Sequence, residues 1–117
     1  MIAEQIKTMT PQEVFDKVAE HLMSQLEQSL SDTMLGGCMY LNREGLQCAA
    51  GCLIAEDEYD EAIEEQDWDK LVSVGLVPTD HQTLIQGLQL IHDNIDPKNW
   101  GRELHEYALV NELEYKQ

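Results

Sequence analysis

Cys38-Met-Tyr-Leu-Asn-Arg-Glu-Gly45-Leu-Gln-Cys48-Ala-Ala-Gly-Cys52-Leu-Ile54 is the stretch whose reading decides the fold. It holds all three cysteines of the chain and its clearest β-hairpin signal. Asn42-Arg43-Glu44-Gly45 suits a type I turn with Gly45 in the left-handed position. Asn favours the first position of such a turn, and glycine reaches positive φ without a Cβ clash. This turn predicts Tyr40 opposite Cys48 and Cys38 opposite Ala50. The hydrophobic pattern points to a second register, slipped by one, in which Met39, Leu41, Leu46 and Cys48 share an apolar face. Ala49, Ala50 and Gly51 are small enough for a helix to approach the strand closely.

Outward from this segment the chain reads as helices. Residues 1–9 carry no strong pattern and read either as a frayed end or as a short leading helical turn. Thr10-Pro11-Gln12-Glu13 is a sharp helix start, with Thr as N-cap, Pro in the first turn and Glu completing a capping box. Val14, Phe15, Val18, Leu22 and Leu26 follow at helical spacing, which predicts a helix from Pro11 to about Leu30. Ser31-Asp32-Thr33 would end it, and Gly36-Gly37 would reset the backbone. After the hairpin, a short helical turn is expected near residues 57–63. Asp67 can cap a helix through Leu71 and Val72 that closes at Gly75 and stops at Pro78. Thr79-Asp80-His81-Gln82 resembles a second capping box, with Leu84, Ile85, Leu88, Ile91 and Ile95 as the buried stripe behind it. Asp96-Pro97 repeats the cap-plus-Pro signal. Trp100, Leu104, Tyr107 and Ala108 carry a last helix toward Leu113. The expected fold is one α+β domain over residues 1–117, mainly helical, with about four helices packed around one small β-hairpin.

Charge narrows function more than pattern does. The 117 residues hold 23 acidic and 7 basic side chains, a formal net charge of −16. Direct binding of nucleic-acid phosphates needs clustered Lys and Arg, and so does attraction to anionic lipid; neither fits this composition. A basic surface on another protein does fit. No window reaches the roughly 18 to 20 apolar residues of a membrane span, and the N-terminus lacks a signal-peptide layout, so a cytoplasmic protein is expected. Three cysteines, an odd number, point to reduced thiols rather than a disulfide framework.

Nine carboxylates crowd into residues 56–69: Glu56, Asp57, Glu58, Asp60, Glu61, Glu64, Glu65, Asp67 and Asp69, interrupted by Tyr59, Ile63 and Trp68. The run lacks the glycine and the alternating ligands of an EF-hand loop. In helical form it would place Asp57, Glu61, Glu64 and Glu65 on one face. Such a face is either plain solvated surface or a partner-binding surface that mimics phosphates, with Tyr59 and Trp68 as anchors. The cysteine spacing, x9 then x3, lacks the Cys-x-x-Cys knuckle of zinc sites, so no metal and no cofactor are expected. A metal reading would need a distant histidine such as His21, His92 or His105. His92 reads as a charge complement to a helix C-terminus. No phosphate loop, nucleophile elbow or His-Glu-x-x-His is present, and no catalytic residue is assigned.

The segment Cys38-x-Tyr40-x4-Gly45-Leu46-x-Cys48-Ala49-x-Gly51-Cys52-Leu53-Ile54, followed by an acidic pair and Tyr59, resembles one found in small uncharacterised proteins of bacteriophages and prophages. The order of a capped first helix, this segment, and Leu88-Gln-Leu-Ile91-His92-Asp93 ahead of Trp100 extends the similarity over nearly the whole chain. Ala55 stands where that pattern has Pro, and residues 56–69 are more acidic than it suggests. The resemblance implies a viral protein working in the host-cell cytoplasm and transfers no mechanism. Taken with charge and size, it leads to the expectation of a host-protein binder and inhibitor of a defence or nucleic-acid-handling system, a DNA mimic using residues 56–69. The alternative is a small-molecule-binding or sequestering module built between the hairpin and Trp100. Apolar stripes on the last two helices leave room for a homodimer.

Overall fold

The computed structural model describes residues 1–31 and 37–115. Four α-helices frame it: α1 (Pro11–Gln25), α2 (Trp68–Ser73), α3 (Gln82–Asn94) and α4 (Trp100–Val110). The long helices pack because each presents one apolar stripe: Val14, Phe15, Val18 and Leu22 on α1, Leu84, Ile85 and Leu88 on α3, Trp100 and Leu104 on α4. α3 lies against each of the other three helices, so it is the central element. The α1 start is as expected, with Glu13 N–H donating to Thr10 Oγ1 at 3.1 Å and Thr10 N–H to Glu13 Oε1 at 2.8 Å. Residues 1–9 are held to the core through Ala3 and Ile6. A 3₁₀ turn over Glu4–Thr8 buries Ile6, and the His81 ring Nε2 lies within hydrogen-bond distance of the carbonyls of Ile6 and Met9.

The α+β expectation is corrected. Among the described residues there is no strand and no sheet, only two isolated antiparallel bridges, Leu30 to Cys38 and Leu41 to Gln47. The 42–45 turn itself forms: Gly45 N–H donates to Asn42 O at 3.1 Å, and Gly45 sits at φ 86°. The Leu41 to Gln47 bridge has the register that this turn dictates, not the slipped one. A ladder does not follow, for two reasons. Ala50 turns to right-handed helical geometry and Gly51–Leu53 wind into a 3₁₀ turn, so the second arm stops being extended. Cys38 bridges to Leu30 instead of Ala50, which places residues 29–31 where a hairpin neighbour would lie. The small residues serve a close approach, but to backbone: a Cβ on Gly51 would sit 2.0 Å from Tyr40 O.

Two helix expectations also change. α1 ends at Gln25, with Leu26 left-handed at φ 52°, five residues before the end its periodicity suggests. Beyond it, Gln28 Nε2 donates to the carbonyls of His92 and Asp93, and Ser29 N–H donates to His92 Nε2 at 2.9 Å. The Ser29 bond takes the place of the helical one that its backbone N–H would have made, while Gln28 ties this segment to α3 through its side chain. The expected stop at Asp32 and Thr33 and the reset at Gly36 lie outside the described residues. The second capping box is absent: His81 precedes α3 at φ 62° with no side-chain cap, and its ring instead ties down residues 6–9. Asp67 does cap α2, accepting from Lys70 N–H at 2.8 Å, and Asp96 accepts from Lys98 N–H at the turn before α4.

Candidate functional site

The acidic segment is not one helix face. It makes two 3₁₀ turns, Glu56–Glu58 and Glu61–Ile63, joined by extended backbone at Tyr59 and Asp60. Five of its nine carboxylates are spent on structure. Glu64 reaches back under the 42–45 turn: its Oε1 accepts from Tyr40 N–H at 3.0 Å and its Oε2 from Leu41 N–H at 3.2 Å and Tyr59 O–H at 2.5 Å. Glu58 Oε1 accepts from Ala3 N–H and Ala55 N–H, both at 3.1 Å. Asp60 accepts from Ala62 N–H, Asp67 caps α2, and Asp69 accepts from Gln82 Nε2. Glu56, Asp57, Glu61 and Glu65 remain as an exposed rim. Glu65 holds a positive φ of 70°, a conformation that costs a non-glycine residue about 1–3 kcal/mol.

Of the two expected anchors, Tyr59 is half-buried and stands beside the rim, while Trp68 is 1% exposed and belongs to the core. Trp68 therefore offers no surface to a partner. Tyr59 walls two adjoining clefts. One, of about 710 Å³, lies between the 42–45 turn and the acidic turns and includes Met39, Leu41, Arg43, Glu61 and Glu65. The other, of about 500 Å³, runs along Gln47, Gly51, Ile54 and Glu56. Burial raises the Tyr59 phenol above its ordinary range, and its bond to the Glu64 carboxylate adds to the effect, so it stays a donor.

A second polar centre lies beneath this surface, and the sequence reading did not foresee it. His92 is fully buried and stacks on Trp100 with ring centroids 5.6 Å apart. Its Nε2 accepts from Ser29 N–H, so the proton sits on Nδ1, which donates to Asp93 Oδ1 at 2.8 Å. The expected charge complement at a helix end is instead a neutral ring with both nitrogens committed. Gln89 Nε2 donates to the same Asp93 oxygen at 2.6 Å. Burial raises the Asp93 pKa, but hydrogen bonds from His92, Cys38 and Gln89 outweigh it and hold the carboxyl below its ordinary 3.8. Burial, then the bond to Asp93, pushes the Cys38 thiol up to about 12. A thiol so protonated is no nucleophile at neutral pH.

His92 was within reach of the sequence. It lies one turn past Leu88 and next to Ile91, on the stripe itself, where a polar residue asks for a partner. Ser29 carried no such signal. Trp100 is fully buried, with its indole N–H donating to Ile95 O. The α3 stripe is spent inside the molecule, while Leu109 and Val110 on α4 are 65% and 81% exposed. Among the described residues no helix is long and apolar enough to cross a membrane. No family model, curated protein or solved structure matches the chain.

Proposed function

We propose that this protein is a binding module whose acidic rim docks on a basic surface of another protein, of the kind that otherwise receives nucleic-acid phosphates. The observation that carries this reading is the division of labour in residues 56–69. Glu58 and Glu64 fasten the two turns to the body of the molecule, leaving Glu56, Asp57, Glu61 and Glu65 outward with no cation among those fourteen residues. A held loop loses little further entropy on docking, which favours recognition over mere solubility. Tyr59, half-buried between two clefts, supplies the apolar contact that carboxylates lack. The phage resemblance makes the partner a host protein, and occupation of a nucleic-acid groove would inhibit it.

The test is capture of partners by tagged protein from bacterial host lysate, with the wild type beside a Glu56→Lys, Asp57→Lys, Glu61→Lys, Glu65→Lys variant. The Debye length falls from about 10 Å at 0.1 M salt to about 3 Å at 1 M, so rim-driven capture weakens across that range. A basic nucleic-acid-binding protein held by the wild type at low salt, and lost from the variant, supports the reading. Equal capture by both proteins at every salt concentration overturns it.

A further inference from the structure

We propose that the larger cleft beside Tyr59 receives an arginine side chain of the partner protein. The inference rests on the reading of residues 56–69 as a docking rim and names the group that the rim takes. The cleft, of about 710 Å³, has an apolar part made by Met39, Leu41 and the Tyr59 ring. Its charged lining sets three carboxylates, Glu61, Glu64 and Glu65, against the one guanidinium of Arg43. Glu64 is committed, because its two oxygens already accept from Tyr40 N–H, Leu41 N–H and Tyr59 O–H. Glu61 and Glu65 are exposed, and Met39 and Leu41 are half-buried. Such a lining suits an occupant with an apolar stem and a cationic head.

Lysine and arginine share that plan, and Tyr59 separates them. A guanidinium is planar and weakly hydrated, stacks on aromatic faces and meets carboxylates through a fork of donors. An ammonium is a compact, strongly hydrated charge that gains less from a ring. Tyr59 is held in place before anything binds. Its O–H donates to Glu64 Oε2 at 2.5 Å, and Glu64 is itself fastened to the backbone N–H groups of Tyr40 and Leu41. A side chain so fixed loses little freedom on contact. The same bond occupies the phenol proton, which leaves the ring and the outward carboxylates for recognition. Arg43 opposes an incoming cation, and Glu61 and Glu65 outnumber it.

Isotope-labelled full-length protein should be titrated by NMR with two glycine-spaced peptides of equal charge, one built on arginine and the other on lysine. Charge on the rim treats the two alike. The arginine peptide is expected to bind about 2–5-fold more tightly, the worth of an exposed cation–π contact. The largest shifts should fall at Tyr59 and the Met39 methyl, with nuclear Overhauser contacts from arginine to the Tyr59 ring. Tyr59→Leu should bring the ratio of the two affinities to about one. Those Overhauser contacts are read on the wild type and need no variant to fold. Equal affinity for both peptides, contacts that bypass Tyr59, or a preference kept in Tyr59→Leu overturns the arginine site and leaves the rim reading standing. Binding of neither peptide also overturns the site, whereas the rim reading falls only if charge reversal leaves capture from lysate unchanged. Free arginine amide that matched the peptide in affinity would make the cleft a small-molecule site and would overturn docking there.

Discussion

Around Asp93 a half-buried carboxylate has been given several protein donors, whereas along the 56–69 rim carboxylates of the same chemistry stand exposed to water. Asp93 accepts from His92, Gln89 and Cys38, and one donor, His92, is itself fixed by a buried backbone N–H. Glu56, Asp57, Glu61 and Glu65 stand exposed. Glu64 and Glu58 lie between these extremes: they sit in the acidic run by sequence but act as Asp93 does, satisfying backbone donors. Acidity alone thus says little about what a carboxylate does here. What matters is whether an unpaired N–H or O–H lies within reach, because an unsatisfied buried donor costs about 1–3 kcal/mol while an exposed one is met by water.

This contrast breaks most visibly at His92. His92→Phe keeps a ring against Trp100 but strands Ser29 N–H and takes one donor away from the Asp93 carboxylate. The expected loss is about 3 kcal/mol in urea unfolding, with hydrogen exchange at Ser29 accelerated. A loss below about 1 kcal/mol would mean that the buried centre is no more structural than the rim. Next comes the pair on one acidic turn. Glu64→Ala removes the acceptor of three donors and should cost about 2 kcal/mol, while Glu61→Ala, three residues away, should stay within about 0.5 kcal/mol. Equal effects would erase the distinction drawn between anchors and rim.

Titration sharpens the comparison. The Asp93 carboxyl is held below its unfolded value, so its contribution is present above about pH 4 and is lost as pH falls through the lower folded value. Asp93→Asn should therefore show a shallower acid limb in stability measured against pH. The thiols act on the other side. Cys38 and Cys52 are pushed from 9.0 to about 12, chiefly by burial, and Cys48 moves further in the same direction. Their contribution is full below pH 9 and drains as pH rises toward 12, because the unfolded chain loses those protons first. Cys52→Ala should flatten that alkaline limb. The smallest stability effect belongs to the rim: Glu61→Lys and Glu65→Lys should each shift the folding free energy by no more than about 0.5 kcal/mol while altering salt-dependent partner capture.

The α1 start, the α2 cap at Asp67, the 42–45 turn and most of the α3 and α4 stripes were legible because each rests on residues a few positions apart. The same locality explains the misses. Leu26 continues the α1 periodicity, yet the helix stops at Gln25 because Gln28 and Ser29 bond to α3, more than sixty residues on. Thr79 to Gln82 has the letters of a capping box, yet His81 is drawn off to carbonyls near the N-terminus. In the candidate site, the acidic run was visible, but its division into five structural and four outward carboxylates was not, since no donor partner of Glu58 or Glu64 other than Ala55 and Tyr59 is close in sequence.

The sequence by itself determined the helical framework, the turn at Gly45 and the strongly acidic surface, all set by local sterics, periodicity and composition. Tertiary structure alone decided that the turn carries no sheet among the described residues, that Trp68 faces inward, and that Cys38, His92 and Asp93 meet. Those outcomes depend on which buried donor finds which acceptor once the helices have packed, and hydrogen-bond partners distant in sequence leave no periodic trace.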